Sequence, residues 1–136
     1  MNIRKVLIPI DGTERSMKSI ELVKEMYSPE KVKVEIIHIK ELVFIDGISI
    51  SDEIKISEEY GKKLLEKAKE SIPGFDVSLY FGFGYAGDEI VKRAEEQDID
   101  IIVMTKSTKK GFSRIIGSVT NYVLKHTDSI VMIVPE

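Results

Sequence analysis

Between Val103 and Ser118 the chain reads VMTKSTKKGFSRIIGS. A β-branched run gives way to Lys106, Lys109 and Lys110 among several hydroxyls, and a helical pattern begins behind Gly117-Ser118. A strand, a polar loop and a helix start in succession is where α/β proteins hold phosphate. The unpaired amides and the dipole of a helix N-terminus favour an anion there. Such loops take glycines at their front, and here those places read Thr105, Ser107 and Thr108. The lysines, with Arg114, offer a different grip, long cationic side chains that meet phosphate as point charges. A solvated charged loop accounts for the same residues. The hydroxyls of Thr105, Ser107, Thr108 and Ser113 are also chemically open to phosphorylation.

Asp11 is the second candidate. It ends the apolar run KVLIPI and forms a turn signal with Gly12. Its carboxylate suits a ribose hydroxyl, while the spacing from Asp11 to Glu14 suits a capping box worth about 1 kcal/mol. The two roles are compatible, since a cap can turn to a ligand. His38 falls inside a strand and reads as a packed residue; His126, near the end of the last helix, complements its C-terminal dipole.

Other chemistries lack their parts. With no cysteine there is no thiol catalysis, disulfide or thiolate metal site. The two histidines stand far apart, without an HExxH spacing. No GxSxG, Walker motif or carboxylate pair placed for acid–base work is present. The expectation is a protein that is not an enzyme.

These residues must be positioned by alternating strands and helices. The strands are read as Lys5–Ile10, Val32–Ile39, Asp76–Phe81, Ile99–Met104 and Ser129–Val134. Helical periodicity links them: Ile20, Val23 and Tyr27; then Gly61, Leu64, Leu65 and Ala68; then Ile90, Val91 and Ala94; then Val119, Tyr122 and Val123. Ser28-Pro29 and Pro73-Gly74 stop the first two helices. Repeated βαβ units imply one open parallel sheet with helices on both faces. Strands one, four and five are nearly all apolar, whereas strand three alternates like an edge strand. The order expected is therefore 3-2-1-4-5, with strands one and four meeting at a switch point where ligands bind.

The 136 residues suit one domain spanning 1–136. A net charge of −3 gives no global pull toward nucleic acid. No apolar run is long enough to cross a bilayer and no signal-peptide pattern opens the chain, so a cytoplasmic location is expected. Asparagine and glutamine are scarce, a usage like that of a thermophile. The loop Glu41–Ser51, ELVFIDGISIS, is unusually apolar and reads as folded back on the core or against a partner.

In order and spacing, VLIPIDGTERS, IIHI, GYAGDEIVKRAEEQDIDIIVM and GFSRIIGSVTNYVLKHTDSIVMIVP resemble the universal stress protein family over essentially the whole chain. The resemblance implies an adenine nucleotide alpha hydrolase-like, Rossmann-like fold and a stress-response or regulatory role. It also implies a cofactor, ATP with Mg or AMP, held at the switch point through a G-x2-G-x9-G-[S/T] motif. Carried over, Pro9 and Asp11 match positions near adenine and ribose, and Ile39 the position whose backbone meets adenine. Gly117, Ser118 and Val119 match the phosphate-side helix start. The motif's front departs: its glycine places fall on Thr105 and Thr108, or on Met104 and Ser107 when counted back from Gly117. A side chain at such a place is stiff and crowds a ligand, which argues for weak, altered or absent nucleotide binding. The alternative is an ATP-binding switch. The family resemblance further implies a homodimer paired through the last strand, residues 129–134, whose apolar edge invites association. A phospho-receiver of similar fold would need an acidic neighbour beside Asp11 and a lysine ending strand five; Val134-Pro135 stands there instead.

Overall fold

The N-terminal apolar run becomes the middle strand of the sheet because both of its faces are covered. A computed structural model describes residues 3–42, 49–106 and 116–135 of the chain. Its elements are β1 (Arg4–Pro9), α1 (Glu14–Met26), β2 (Val32–Lys40), α2 (Ile50–Glu70), β3 (Asp76–Phe83), α3 (Ala86–Glu96), β4 (Ile101–Thr105), α4 (Ser118–His126) and β5 (Ile130–Val134). A 3-10 turn at Pro29–Lys31 leads into β2. The strands lie in the order β3-β2-β1-β4-β5, every pair parallel, as the alternation of elements predicts.

Successive strand residues point to opposite faces, and each face has its own apolar layer. Val6, Ile8, Ile36, Ile101 and Val103 pack with Ile20 and Val23 of α1 and with Leu65 and Ala68 of α2. On the other face Leu7, Ile37, Ile102 and Met104 pack with Ile90, Val91 and Ala94 of α3 and Val123 of α4. Leu7, Ile8, Ile36 and Ile102 are withdrawn fully from water, each contributing about 1.5–3 kcal/mol of transfer free energy. Among the described residues no helix is long and apolar enough to cross a membrane.

β5 is as apolar as β1 and β4, yet it ends the sheet. Ile130 is 61% exposed, and Val131, Met132 and Ile133 are only partly covered. Its composition therefore does not reflect burial within the chain, as it does for β1 and β4.

Gly61 sets how closely α2 lies on β3. A Cβ there would run into the Phe81 ring and press on His38. Alanine would gain about 1 kcal/mol of helix propensity, but the overpacking costs about 1–3 kcal/mol. Gly61→Ala should therefore lower stability by about 1 kcal/mol in a urea titration; an unchanged midpoint would mean that Phe81 yields freely.

Candidate functional site

The switch point lies where β1 and β4 run side by side and their following loops diverge. β1 delivers Pro9 and then Asp11. Pro9 stands opposite Ile37 of β2 and is half-buried, while Asp11 is exposed. Gly12 takes φ +90°, and this left-handed residue folds the chain back before α1 starts.

The cap of α1 corrects the capping-box expectation. Thr13, not Asp11, is the N-cap, its side chain accepting from the Ser16 amide at 3.2 Å. Asp11 sits two residues earlier, where Oδ1 accepts from the Thr13 amide at 3.0 Å and from the Thr13 hydroxyl at 2.6 Å. The Asp11 amide donates to Ser16 Oγ at 3.2 Å, and the Ser16 hydroxyl donates to the Thr13 carbonyl at 2.9 Å. Asp11 and Thr13 are both cap-forming types, and the left-handed Gly12 between them decides which one borders the helix.

β4 delivers Met104 and Thr105. Met104 is 5% exposed and packs in the layer beneath α3 and α4. Thr105 is 7% exposed, and its carbonyl accepts the Thr120 hydroxyl of α4 at 3.1 Å. Both side chains are thus built into the interior. The Lys106 amide donates to the Val134 carbonyl at 2.9 Å, and the Gly117 amide donates to the Lys106 carbonyl at 2.8 Å. The two ends of the lysine-bearing segment are thereby joined at its base. Ser107, Thr108, Lys109, Lys110, Ser113 and Arg114 lie outside the described residues, as do positions 43–48 of the apolar loop.

α4 begins at this base. Its N-cap is Gly117, with no side chain to cap the first turn; α3 likewise starts without a side-chain cap, whereas α1 and α2 are capped by the side chains of Thr13 and Ser49. Ser118 is exposed and Val119 leans on the inner layer, so the first-turn amides open toward the crevice end of the sheet. Lys125 and His126 occupy the last turn, where the dipole favours them; His126 also stacks on Tyr122 at 4.0 Å.

β2 contributes Ile39, half-buried and opposite Gly82 of β3. The packed role expected of His38 holds: its Nδ1 is 2.9 Å from the Ile10 carbonyl, and its ring lies between Tyr60 and Phe81. Tyr60, which sequence reasoning passed over, reaches from α2 to the same turn. A Cβ on Gly12 would lie 2.7 Å from the Tyr60 hydroxyl. A tyrosine on the outer side of an amphipathic helix carries no local signal of such a contact. Among the described residues no group of three or more histidine, aspartate or glutamate side chains could hold a metal ion.

Residues 2–135 match the universal stress protein family. Universal stress protein MJ0577 of Methanocaldococcus jannaschii is 29% identical over 96% of this chain and 94% of its own length. The solved structure of MJ0577 superposes with a TM-score of 0.70 at 28% identity, covering 98% of this chain and 96% of that one. Two solved structures of lower identity share the fold. A universal stress protein family member from Arabidopsis thaliana with AMP bound has a TM-score of 0.74 at 16% identity, over 96% of this chain and 90% of its own. The universal stress protein from Archaeoglobus fulgidus in complex with dAMP has a TM-score of 0.66 at 17% identity, over 98% of both chains.

Proposed function

This chain belongs to the universal stress protein family, and we propose that it is a non-enzymatic, homodimeric regulator of the stress response. In this reading it binds an adenine nucleotide weakly, gripping one phosphate and leaving the outer phosphates of ATP poorly held. The observation that carries the reading is the start of α4: a glycine N-cap with no capping side chain, at the end of β4 beside β1. That is the arrangement an anion completes. Asp11 on the β1 side would take the ribose, and the backbone of Ile39 the base. AMP and dAMP in two solved relatives of the same fold support a nucleoside monophosphate.

The chain does not supply the glycine front. Its places fall on Thr105 and Thr108, or on Met104 and Ser107, and none of these has the backbone freedom that a glycine gives a phosphate-binding loop. The expected dissociation constant for AMP is on the order of 10–100 μM. Mg-ATP should bind no more than about tenfold tighter, a difference of about 1.4 kcal/mol. Calorimetric titration of nucleotide-stripped protein at low salt tests this, since added salt screens the lysines. Micromolar ATP binding far above that of AMP would support the ATP-switch reading, with Lys106 and its neighbours replacing the glycines. No binding of either would turn attention to protein partners.

For the dimer, the exposed apolar β5 is the support. An edge strand with Ile130 open to water is a template for pairing with a second copy.

A further inference from the structure

The Asp11 carboxylate is held by a chain of donors whose direction can be worked out. Thr13 Oγ1 accepts the Ser16 amide at 3.2 Å, so one of its lone pairs is occupied by an N–H. A threonine hydroxyl has a single proton. At 2.6 Å from Asp11 Oδ1, an ionised acceptor with no proton to give, that proton points to the carboxylate. The Thr13 amide reaches the same oxygen at 3.0 Å. Two donors from one residue therefore fix Oδ1, and the Ser16 hydroxyl and the Asp11 amide close the ring behind it.

We propose that Thr13 is the positioning residue that makes this site select nucleotides bearing ribose hydroxyls, by holding Asp11 in one orientation toward the sugar. The inference rests on the reading of Asp11 as the ribose-side acceptor. A sugar hydroxyl donating to a carboxylate forms a charge-assisted bond, and its strength falls quickly when the acceptor must first be ordered. Thr13 acts through Asp11 and touches no ligand itself.

The probes are AMP and 2′,3′-dideoxy-AMP, titrated into the intact protein. Wild-type protein should bind AMP at least about tenfold tighter than the dideoxy analogue. Thr13→Ser keeps both the proton and the cap and should keep that ratio. Thr13→Val removes both while keeping the backbone amide, and its ratio should fall below that of wild type. Cap loss also lowers the stability of Thr13→Val, but a purely structural role would weaken both ligands alike and leave the ratio unchanged. Should Thr13→Val fail to fold, Thr13→Asp retains a capping oxygen while lacking the proton, and its ratio should fall likewise. AMP binding with no discrimination in wild type overturns the inference while leaving the phosphate reading standing. So does an undiminished ratio in the valine or aspartate variant. Failure of wild type to bind AMP at all overturns both.

Discussion

Arg93→Ala lowers the unfolding free energy by about 3 kcal/mol, because it strands a charge inside the sheet–helix interface. Glu35 lies on β2, a strand paired on both sides, and is only 6% exposed. Arg93 reaches it from α3 with Nη2 at 2.7 Å and Nε at 3.0 and 3.2 Å from the two carboxylate oxygens. The guanidinium also lies over the Tyr80 ring, 4.2 Å from its centre. The hydrogen bond to Glu35 holds Arg93 above its ordinary pKa against the opposing effect of burial, so the arginine keeps its charge in this contact. Removing the arginine takes the hydrogen-bonded counter-ion from a carboxylate that is only 6% exposed, a loss well beyond that of one exposed ion pair. The exposed pair Lys24–Glu21, at 3.7 Å, is the control; Lys24→Ala should move stability by less than about 0.5 kcal/mol. Equilibrium urea unfolding separates the two. The double variant Glu35→Leu with Arg93→Met should recover most of the loss, since apolar residues of similar volume replace such pairs well. An Arg93→Ala midpoint no lower than that of Lys24→Ala would show that water reaches Glu35.

Ile133→Pro converts the proposed dimer into a monomer. The Ile130 amide donates to the Asp100 carbonyl, and the Val134 carbonyl accepts from Lys106, so these even-numbered residues bond inward to β4. Backbone groups alternate along a strand, which turns those of Val131 and Ile133 outward. Proline at 133 therefore spares the β4 ladder while deleting an outward donor and placing a ring at the edge. Two copies each lose one hydrogen bond of about 1 kcal/mol and gain a clash, a weakening on the order of a hundredfold. Sedimentation equilibrium across a range of concentrations reads the change directly. A monomeric wild type, or a variant that dimerises as before, would remove β5 as the interface.

The arrangement of elements was legible in the amino-acid order because burial imprints a period on each segment. The continuous apolar runs of β1 and β4 mark strands covered on both faces, and the alternation of β3 marks an edge. The stops at Ser28-Pro29 and Pro73-Gly74, and the helix start after Gly117, are equally local, since each depends on backbone freedom at one or two residues.

Tertiary structure decided what depends on pairs. Glu35 and Arg93 stand 58 positions apart, and no pattern near either one says that a charged residue inside an otherwise apolar strand has a partner on α3. Gly61 looks like an ordinary weak point in a helix until Phe81 is found against it. The Asp11–Glu14 spacing favours Asp11 as the helix cap, yet the folded chain gives that place to Thr13, after a left-handed turn at Gly12. β5 reads like a buried strand because periodicity records only that a surface avoids water. Whether α-helices of the same chain or another copy supply the cover is a property of the folded surface, and here the chain leaves Ile130 uncovered.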